Sequence, residues 1–131
     1  MNLKKVYLDE WDIIDRLNWS QTETSDVDLL NDIRLNMRDI LTDHEVMSLL
    51  LFVRSARKVL AEVLQQYAEE KTGNRHGYYG VSDDGFWDLT AHIVGCGKEV
   101  YFKTIRNPKL AKRRAESSRY VENFEYIFNY I

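Results

Sequence analysis

The sequence predicts an all-α fold, a compact single-domain helical bundle of about five or six helices with one long central helix. Apolar residues recur at three- and four-residue steps along most of the 131 residues, as on the buried face of amphipathic helices. Residues that begin and end helices separate these stripes at short intervals. One aromatic-rich stretch, residues 119–131, would also suit a strand, but no other segment offers it a strand partner, so helix is favoured.

Composition and charge point to an ordinary soluble protein. Hydrophobic residues make up 44% and charged residues 30% of the chain, which are usual fractions for a globular domain. The formal net charge of −3 argues against a surface built throughout for nucleic acid. A single cysteine suits a reducing compartment, and neither a signal peptide nor a stretch of roughly 20 apolar residues is recognisable. We expect one domain over residues 1–131, located in the cytoplasm and not in a membrane.

Two helices are predicted before residue 42. In residues 3–17 the side chains of Tyr7, Trp11, Ile14 and Leu17 fall at helical spacing. The sequence Ser25-x-x-Asp28 resembles a capping box. The helix that it would start carries one apolar side, made up of Leu30, Ile33, Met37, Ile40 and Leu41.

The longest predicted helix follows Thr42. Thr42-x-x-Glu45 is a strict capping box directly ahead of an apolar run. Gly73 is the natural stop, because glycine readily adopts the left-handed conformation that ends helices. Phe52 and Val59 lie on a different flank from the main stripe, so we expect the helix to be covered on two sides. The main stripe consists of Val46, Leu49, Leu50, Val53, Ala56, Leu60, Val63, Leu64 and Tyr67.

A further helix is predicted from Ser82 to Asn107. Ser82 is a good N-cap, and Asp83 and Asp84 place negative charge against the positive end of the helix dipole. Pro108 disfavours helical backbone at the residue before it, which ends the helix. The apolar stripe of this helix consists of Phe86, Leu89, Ile93, Gly97 and Val100.

Two glycines in this helix need a physical reason, because a glycine inside a helix costs about 1 kcal/mol relative to alanine. Gly97 lies on the apolar stripe, so we predict a close crossing there with another helix, the long one after Thr42. Gly95 lies on the far side of the helix wheel. The alternative is a helix broken at Gly95-Cys96-Gly97, with the flanking residues turned towards a pocket.

Several short motifs of this chain occur together in a known family. They are Ser82-Asp83-Asp84-x-Phe86, Gly97-Lys98-Glu99-Val100-Tyr101, Asn107-Pro108-x-Leu110-Ala111, Glu10-Trp11-Asp12-Ile13-Ile14 and Leu41-Thr42-Asp43-His44-Glu45-Val46. With these motifs the chain resembles the bacterial family DUF4240, a domain of unknown function, up to about Ala111. The family tends to carry a tryptophan near His92 and a glutamine near Cys96, and this chain departs from both. The resemblance implies a small helical protein of the bacterial cytoplasm and implies no activity.

The glycine-rich segment 73–80 and the two aspartates after it form the first candidate site. The glycines allow tight turns, and arginine, histidine and tyrosine are common in contacts between proteins. The structural alternative is a connector whose tyrosines pack over the core, followed by aspartates that cap a helix and lack the ligand set of a calcium loop. The candidate binding residues are Arg75, His76, Tyr78, Tyr79, Asp83 and Asp84.

A second candidate site is a strip along the helix after Ser82. It consists of Asp88, His92, Cys96 and Glu99, spaced so that they share one side of a helix. Such residues could bind zinc or pair a thiol with a base. A single helix rarely surrounds a metal, so another element would have to supply a ligand, for which His44 and Glu45 are candidates that nothing in the sequence places nearby. The alternative is a cysteine that packs as a small apolar residue beside an exposed Asp–His helix pair.

A basic run falls in a short helix expected from Pro108 to about Glu116. It could contact nucleic-acid phosphates, but Glu116 interrupts it and no base-reading motif accompanies it. We therefore predict a solvated helix face and no sequence-specific binding of nucleic acid. The run consists of Lys109, Lys112, Arg113, Arg114 and Arg119.

The sequence favours a binding protein over an enzyme. It contains no nucleophile elbow, paired-cysteine motif, zinc-protease helix or dinucleotide fingerprint, so we predict neither a cofactor nor a metal. We expect a partner-binding, immunity-type or regulatory accessory module that contacts another protein through residues 75–79 and the aromatic C-terminus. A homo-oligomer stays open. The rival class is a metal-dependent or thiol enzyme that uses His92, Cys96 and nearby carboxylates.

Overall fold

Five α-helices and one short 3-10 helix account for most of the residues that the structure describes, and none of those residues lies in a strand. The structure is a computed structural model, and it describes residues 9–17, 34–35, 37–39, 41–116 and 128. The helices are α1 (Glu10–Arg16), α2 (Asp43–Thr72), the 3-10 helix (Gly77–Tyr79), α3 (Asp83–Gly95), α4 (Lys98–Arg106) and α5 (Lys109–Glu116). The predicted all-α fold is confirmed, and so is the long helix, since α2 contains 30 residues.

The predicted capping residues begin and end the helices. The Thr42 hydroxyl accepts a hydrogen bond from the Glu45 backbone at 3.2 Å, and the Glu45 carboxylate accepts one from the Thr42 backbone at 3.0 Å. Gly73 ends α2 in the left-handed conformation, at φ 72°. The Ser82 hydroxyl accepts from the Gly85 backbone at 3.1 Å and begins α3. These local signals were therefore sufficient to place both ends of α2 and the start of α3.

Of the helix predicted over residues 3–17, residues 3–8 lie outside the described residues, and the described helix α1 begins at Glu10. Asp9 has extended backbone and forms a reciprocal capping box with Asp12, so α1 starts at Glu10. Trp11 is buried on α1, and its ring lies 5.1 Å from that of Phe52. Phe52 is thus covered by α1, whereas Val59, on the same predicted flank of α2, is 52% exposed. The prediction that α2 is covered on two sides is therefore confirmed at Phe52 and wrong at Val59.

The helix predicted from Ser82 to Asn107 is broken, and this prediction was wrong. α3 ends at Gly95, and α4 begins at Lys98. Gly97 lies between them at φ 104° and ψ 177°, a backbone conformation that is essentially restricted to glycine. Gly95 is buried in the last turn of α3 and does not lie on an outer side. The alternative prediction, a helix broken at Gly95-Cys96-Gly97, is therefore confirmed for the backbone.

A close approach at Gly97 exists, but α1 makes it and α2 does not. A side chain at Gly97 would clash with the carboxylate of Asp15. That carboxylate accepts a hydrogen bond from the Lys98 backbone at 3.3 Å, so it serves the first turn of α4. An aspartate in the last turn of α1 opposes the dipole of α1 itself. Its position is explained by the N–H groups of α4, which it helps to satisfy.

The core is centred on α3, which packs most extensively against α2. Seven consecutive residues of α3, Leu89 to Gly95, are buried, so this half of the helix is surrounded on all sides. Two buried tyrosines connect the surrounding elements to α2. The hydroxyl of Tyr79 donates to the Leu64 carbonyl at 2.6 Å, and that of Tyr101 donates to the Ala56 carbonyl at 2.8 Å.

Two predicted segments lie largely outside the described residues. Of the helix predicted after Ser25, residues 34–35 and 37–39 are helical, and Met37 and Leu41 are buried. Of the aromatic C-terminal segment, the structure describes Phe128, which is buried in a 3-10 conformation. Among the described ranges, no helix has the length and apolar character needed to cross a membrane.

Candidate functional site

The segment between α2 and α3 is held in one conformation by its own side chains. The Asn74 side chain accepts hydrogen bonds from the backbones of His76 and Gly77, at 3.1 and 2.9 Å. The Thr72 hydroxyl accepts from the Asn74 backbone at 3.2 Å. Gly80 closes the 3-10 helix in the left-handed conformation. The glycine-rich segment is thus a hydrogen-bonded connector, as the structural alternative predicted.

His76 joins this connector to the helices on both sides. Its Nδ1 donates to the Asp83 carboxylate at 2.6 Å, and its Nε2 lies 3.1 Å from the amide nitrogen of Gln65, from which it accepts. The imidazole also stacks on Phe86, with ring centres 4.1 Å apart and planes 15° apart. The His76 side chain is 16% exposed, whereas that of Asp83 is 90% exposed. Since both ring nitrogens have partners, His76 acts here as a structural link.

The two tyrosines of the connector face the core to different degrees. Tyr79 is buried, and burial raises the pKa of its phenol, so the hydroxyl remains a donor to Leu64. Tyr78 is half-buried and packs edge-on against Tyr67, with ring centres 5.4 Å apart. The ammonium of Lys112 lies 4.8 Å from the centre of the Tyr78 ring. For Tyr79, therefore, the geometry matches the alternative of a tyrosine packed over the core.

The exposed members of the first candidate site lie at the two ends of the connector. Arg75 is 65% exposed in its side chain and forms an ion pair with Glu69 at 3.4 Å. Asp83 and Asp84 are both exposed in the first turn of α3. This is the position predicted for aspartates that stabilise the start of a helix, because both lie against the positive end of the α3 dipole.

Trp87 is an exposed residue of this surface that the sequence interpretation missed. It is 40% exposed, and on a helical wheel it falls between Asp83 and Asp84. Arg57 of α2 contacts both the ring and the backbone of Trp87: its guanidinium lies 5.5 Å from the ring centre and donates to the Trp87 carbonyl at 3.3 Å. We call Asp83, Asp84 and Trp87 the acidic–aromatic face. An aromatic residue off the apolar stripe was the signal that could have revealed it.

In the second candidate site, the structure brings His92 and Cys96 together. The sulfur of Cys96 lies 3.6 Å from Nε2 of His92, and Arg114 of α5 donates to that sulfur at 3.5 Å. His92 is 7% exposed, so the expectation of an exposed Asp88–His92 pair was wrong. Arg114 is the third member of the cluster, and the sequence interpretation had assigned it to a solvated face.

The protonation states of this cluster do not suit a thiol nucleophile. Burial and, to a smaller extent, the charge of Arg114 together lower the pKa of His92 to about 4. Burial raises the pKa of the Cys96 thiol, with an opposing effect of Arg114. At neutral pH the pair is a neutral imidazole and a thiol, whereas nucleophilic cysteines react as thiolates. The contact is therefore better described as packing between α3 and α5.

Of the two carboxylates of the predicted strip, that of Glu99 lies apart from this cluster. Glu99 lies beyond the helix break, on α4, where it pairs with Lys103 at 2.8 Å, and that hydrogen bond lowers the pKa of Glu99. Asp88 is half-buried on α3, two turns before Cys96. Within the described part of the chain, no three histidine, cysteine or acidic side chains are grouped as a metal ion would require.

The described residues define a class of protein: a small all-α protein with an exposed acidic–aromatic face on its surface. The family model described as "Protein of unknown function (DUF4240)" matches residues 9–130, and the chain belongs to this family. The resemblance drawn from its short motifs is thereby confirmed. Comparisons with curated proteins and with solved structures find no match.

Proposed function

We propose that this protein is a small binding module that contacts a partner protein through the acidic–aromatic face and through Arg75 at the other end of the connector. We place it in the bacterial cytoplasm, as an immunity-type or regulatory accessory module. The observation that carries the proposal is the exposure of Trp87. The Arg57 guanidinium contacts both the ring and the backbone carbonyl of Trp87 and so holds it in place.

The composition of this surface supports the proposal. Tryptophan, tyrosine and arginine dominate the residues that contribute most to binding free energy in protein interfaces. Trp87 presents a large apolar area between the carboxylates of Asp83 and Asp84, so a partner that covers it would also meet a defined pattern of charge. An apolar centre with a polar surround is the usual arrangement of such interfaces.

The rigidity of the surface supports the proposal as well. Binding costs free energy for every side chain or loop that becomes ordered. Here the hydrogen bonds of Asn74 and His76 fix the connector before any partner arrives. A partner would meet a surface already in its bound conformation, which favours affinity without a large contact area.

The test is quantitative capture of partners from cells by the tagged protein and by its variants. We expect Trp87→Ala and Asp84→Lys each to reduce the amount of a captured partner by at least about tenfold, as truncation of a dominant interface residue does. Val59→Ala is the matched control, because Val59 is 52% exposed on α2 and distant in sequence from this face. Thermal melts of all variants check that the fold is intact.

Two results would contradict the proposal. One is equal capture of the same partners by wild type and by Trp87→Ala. The other is a partner that is lost from Val59→Ala and retained by Trp87→Ala, since this would place the contact on α2.

A further inference from the structure

The charge of this acidic protein is very unevenly distributed. Residues 98–114 contain seven of the 18 lysine and arginine residues and one of the 21 acidic residues. This stretch therefore carries a charge of +6, and the remainder of the chain carries −9. It covers α4, the Asn107-Pro108 turn and the first six residues of α5, and Glu116 follows at the end of α5.

Three of these seven cations already have partners within the fold. Lys103 pairs with Glu99 at 2.8 Å, Lys112 lies over Tyr78, and Arg114 donates to Cys96. The other four side chains are exposed, and none forms an ion pair with a residue that the structure describes. We call these four, Lys98, Arg106, Lys109 and Arg113, the basic corner.

The spacing of the four residues along α4 and α5 places the basic corner on one continuous surface. Lys98 and Arg106 lie two turns apart on the exposed side of α4, and Lys109 and Arg113 lie one turn apart on the exposed side of α5. Arg106 and Lys109 flank the turn that joins the two helices. The four cations thus follow the outside of the α4–α5 corner.

Phe102 adds an apolar element to this surface. It lies midway between Lys98 and Arg106 on the same side of α4, and it is 39% exposed. Its ring packs edge-on against Tyr101 at 5.0 Å and against Trp11 at 5.8 Å. Because the rings of Trp11 and Tyr101 support it from the core side, its exposed edge is fixed among the cations.

We propose that the basic corner binds a short acidic segment of a partner protein, with an apolar side chain of that segment placed on Phe102. This goes beyond the contact proposed at Trp87 and does not depend on it. Complementary charge supplies the attraction and the orientation, and the exposed aromatic ring supplies a contact that excludes water.

The size of the basic corner favours a peptide over a larger polyanion. Two helices of nine and eight residues, at about 1.5 Å per residue, extend over roughly 25 Å, the length of about seven or eight extended residues. A nucleic acid or a membrane surface reaches beyond that length, and the chain outside residues 98–114 carries −9. A short acidic segment meets the cations alone.

The experiment measures fluorescence anisotropy of a short labelled peptide of aspartate and glutamate with one central leucine. We expect binding at low salt that weakens steeply as salt rises, because exposed charges are screened. Arg106→Glu and Lys109→Glu should each weaken it by at least about fivefold. Lys58→Glu changes the net charge equally at an exposed position of α2 and is expected to weaken it less than about twofold. A peptide with serine in place of leucine should bind more weakly to wild type.

Several outcomes would overturn the proposal. Equal weakening by Lys58→Glu and Lys109→Glu would mean that net charge alone drives binding. Absence of peptide binding at low salt would remove the acidic segment as occupant. Tighter, Lys109-dependent binding of duplex DNA or of phosphatidylglycerol vesicles than of the peptide would assign the basic corner to that polyanion instead.

Discussion

Replacing Gly97 with alanine tests how the break between α3 and α4 is made. The conformation of Gly97, at φ 104° and ψ 177°, costs other residues on the order of 1–3 kcal/mol. The new Cβ would also displace the Asp15 carboxylate, whose hydrogen bond to the Lys98 backbone contributes about 1 kcal/mol. We expect Gly97→Ala to lower the free energy of unfolding by roughly 2–4 kcal/mol.

Two companion variants separate the contributions. Gly73→Ala is the control for backbone strain, because Gly73 has φ 72° and no atom within 4 Å of its would-be Cβ. It should cost about 1 kcal/mol. In an Asp15→Ala background the clash at Gly97 is gone and the hydrogen bond is already lost. Gly97→Ala should therefore cost about 1 kcal/mol less there than in wild type.

Urea denaturation followed by far-UV circular dichroism gives all the required free energies of unfolding. The reasoning fails if Gly97→Ala destabilises no more than Gly73→Ala. It also fails if the cost of Gly97→Ala is the same with and without Asp15, since the two residues would then not be coupled.

Three further predictions concern buried polar groups. The pKa of His92 is about 4, against 6.5 for an ordinary histidine, so the unfolded chain binds this proton first as the pH falls. The stability that the neutral His92 contributes is fully present above pH 6.5 and is lost towards pH 4, by on the order of 3 kcal/mol. His92→Gln should remove this part of the pH dependence of the free energy of unfolding, as measured in urea titrations. Tyr79→Phe should cost about 1 kcal/mol through the lost hydrogen bond to Leu64, and a melting temperature equal to that of wild type would contradict it. Cys96→Ser should cost on the order of 1 kcal/mol with metal content unchanged, and loss of a bound zinc from the folded variant would revive the metal-enzyme hypothesis.

Local sequence signals predicted much of the fold. The Thr42–Glu45 capping box, Gly73 and Ser82 each act within one helical turn, so reading the adjacent residues was enough to place the ends of α2 and the start of α3. The short basic helix after Pro108 was confirmed for the same reason.

The features that were missed depend on residues far apart in the chain. The break at Gly97 was one of two alternatives that the glycines left open, and the contact of Asp15 with Lys98 at this break spans 83 residues of sequence, which no local pattern reports. His92 reads as an exposed residue until α5 brings Arg114 over the end of α3. The place of Trp87 off the apolar stripe was visible in the sequence, but its contact with Arg57, 30 residues earlier, was not.

The contact between Asp15 and Lys98 also affects how the chain folds as it is made. A ribosome adds about 5–20 residues per second, so the 83 residues between these partners take roughly 4–17 s to synthesise. Once Phe52 has been added during that interval, the ring of Trp11 can pack against it, but Tyr101 and Phe102, its other two ring contacts, have not yet been synthesised. Docking of α1 can be completed only after α4 has left the ribosome. A nascent chain stalled before Lys98 therefore leaves a tryptophan partly uncovered, which is the kind of apolar surface that chaperones bind.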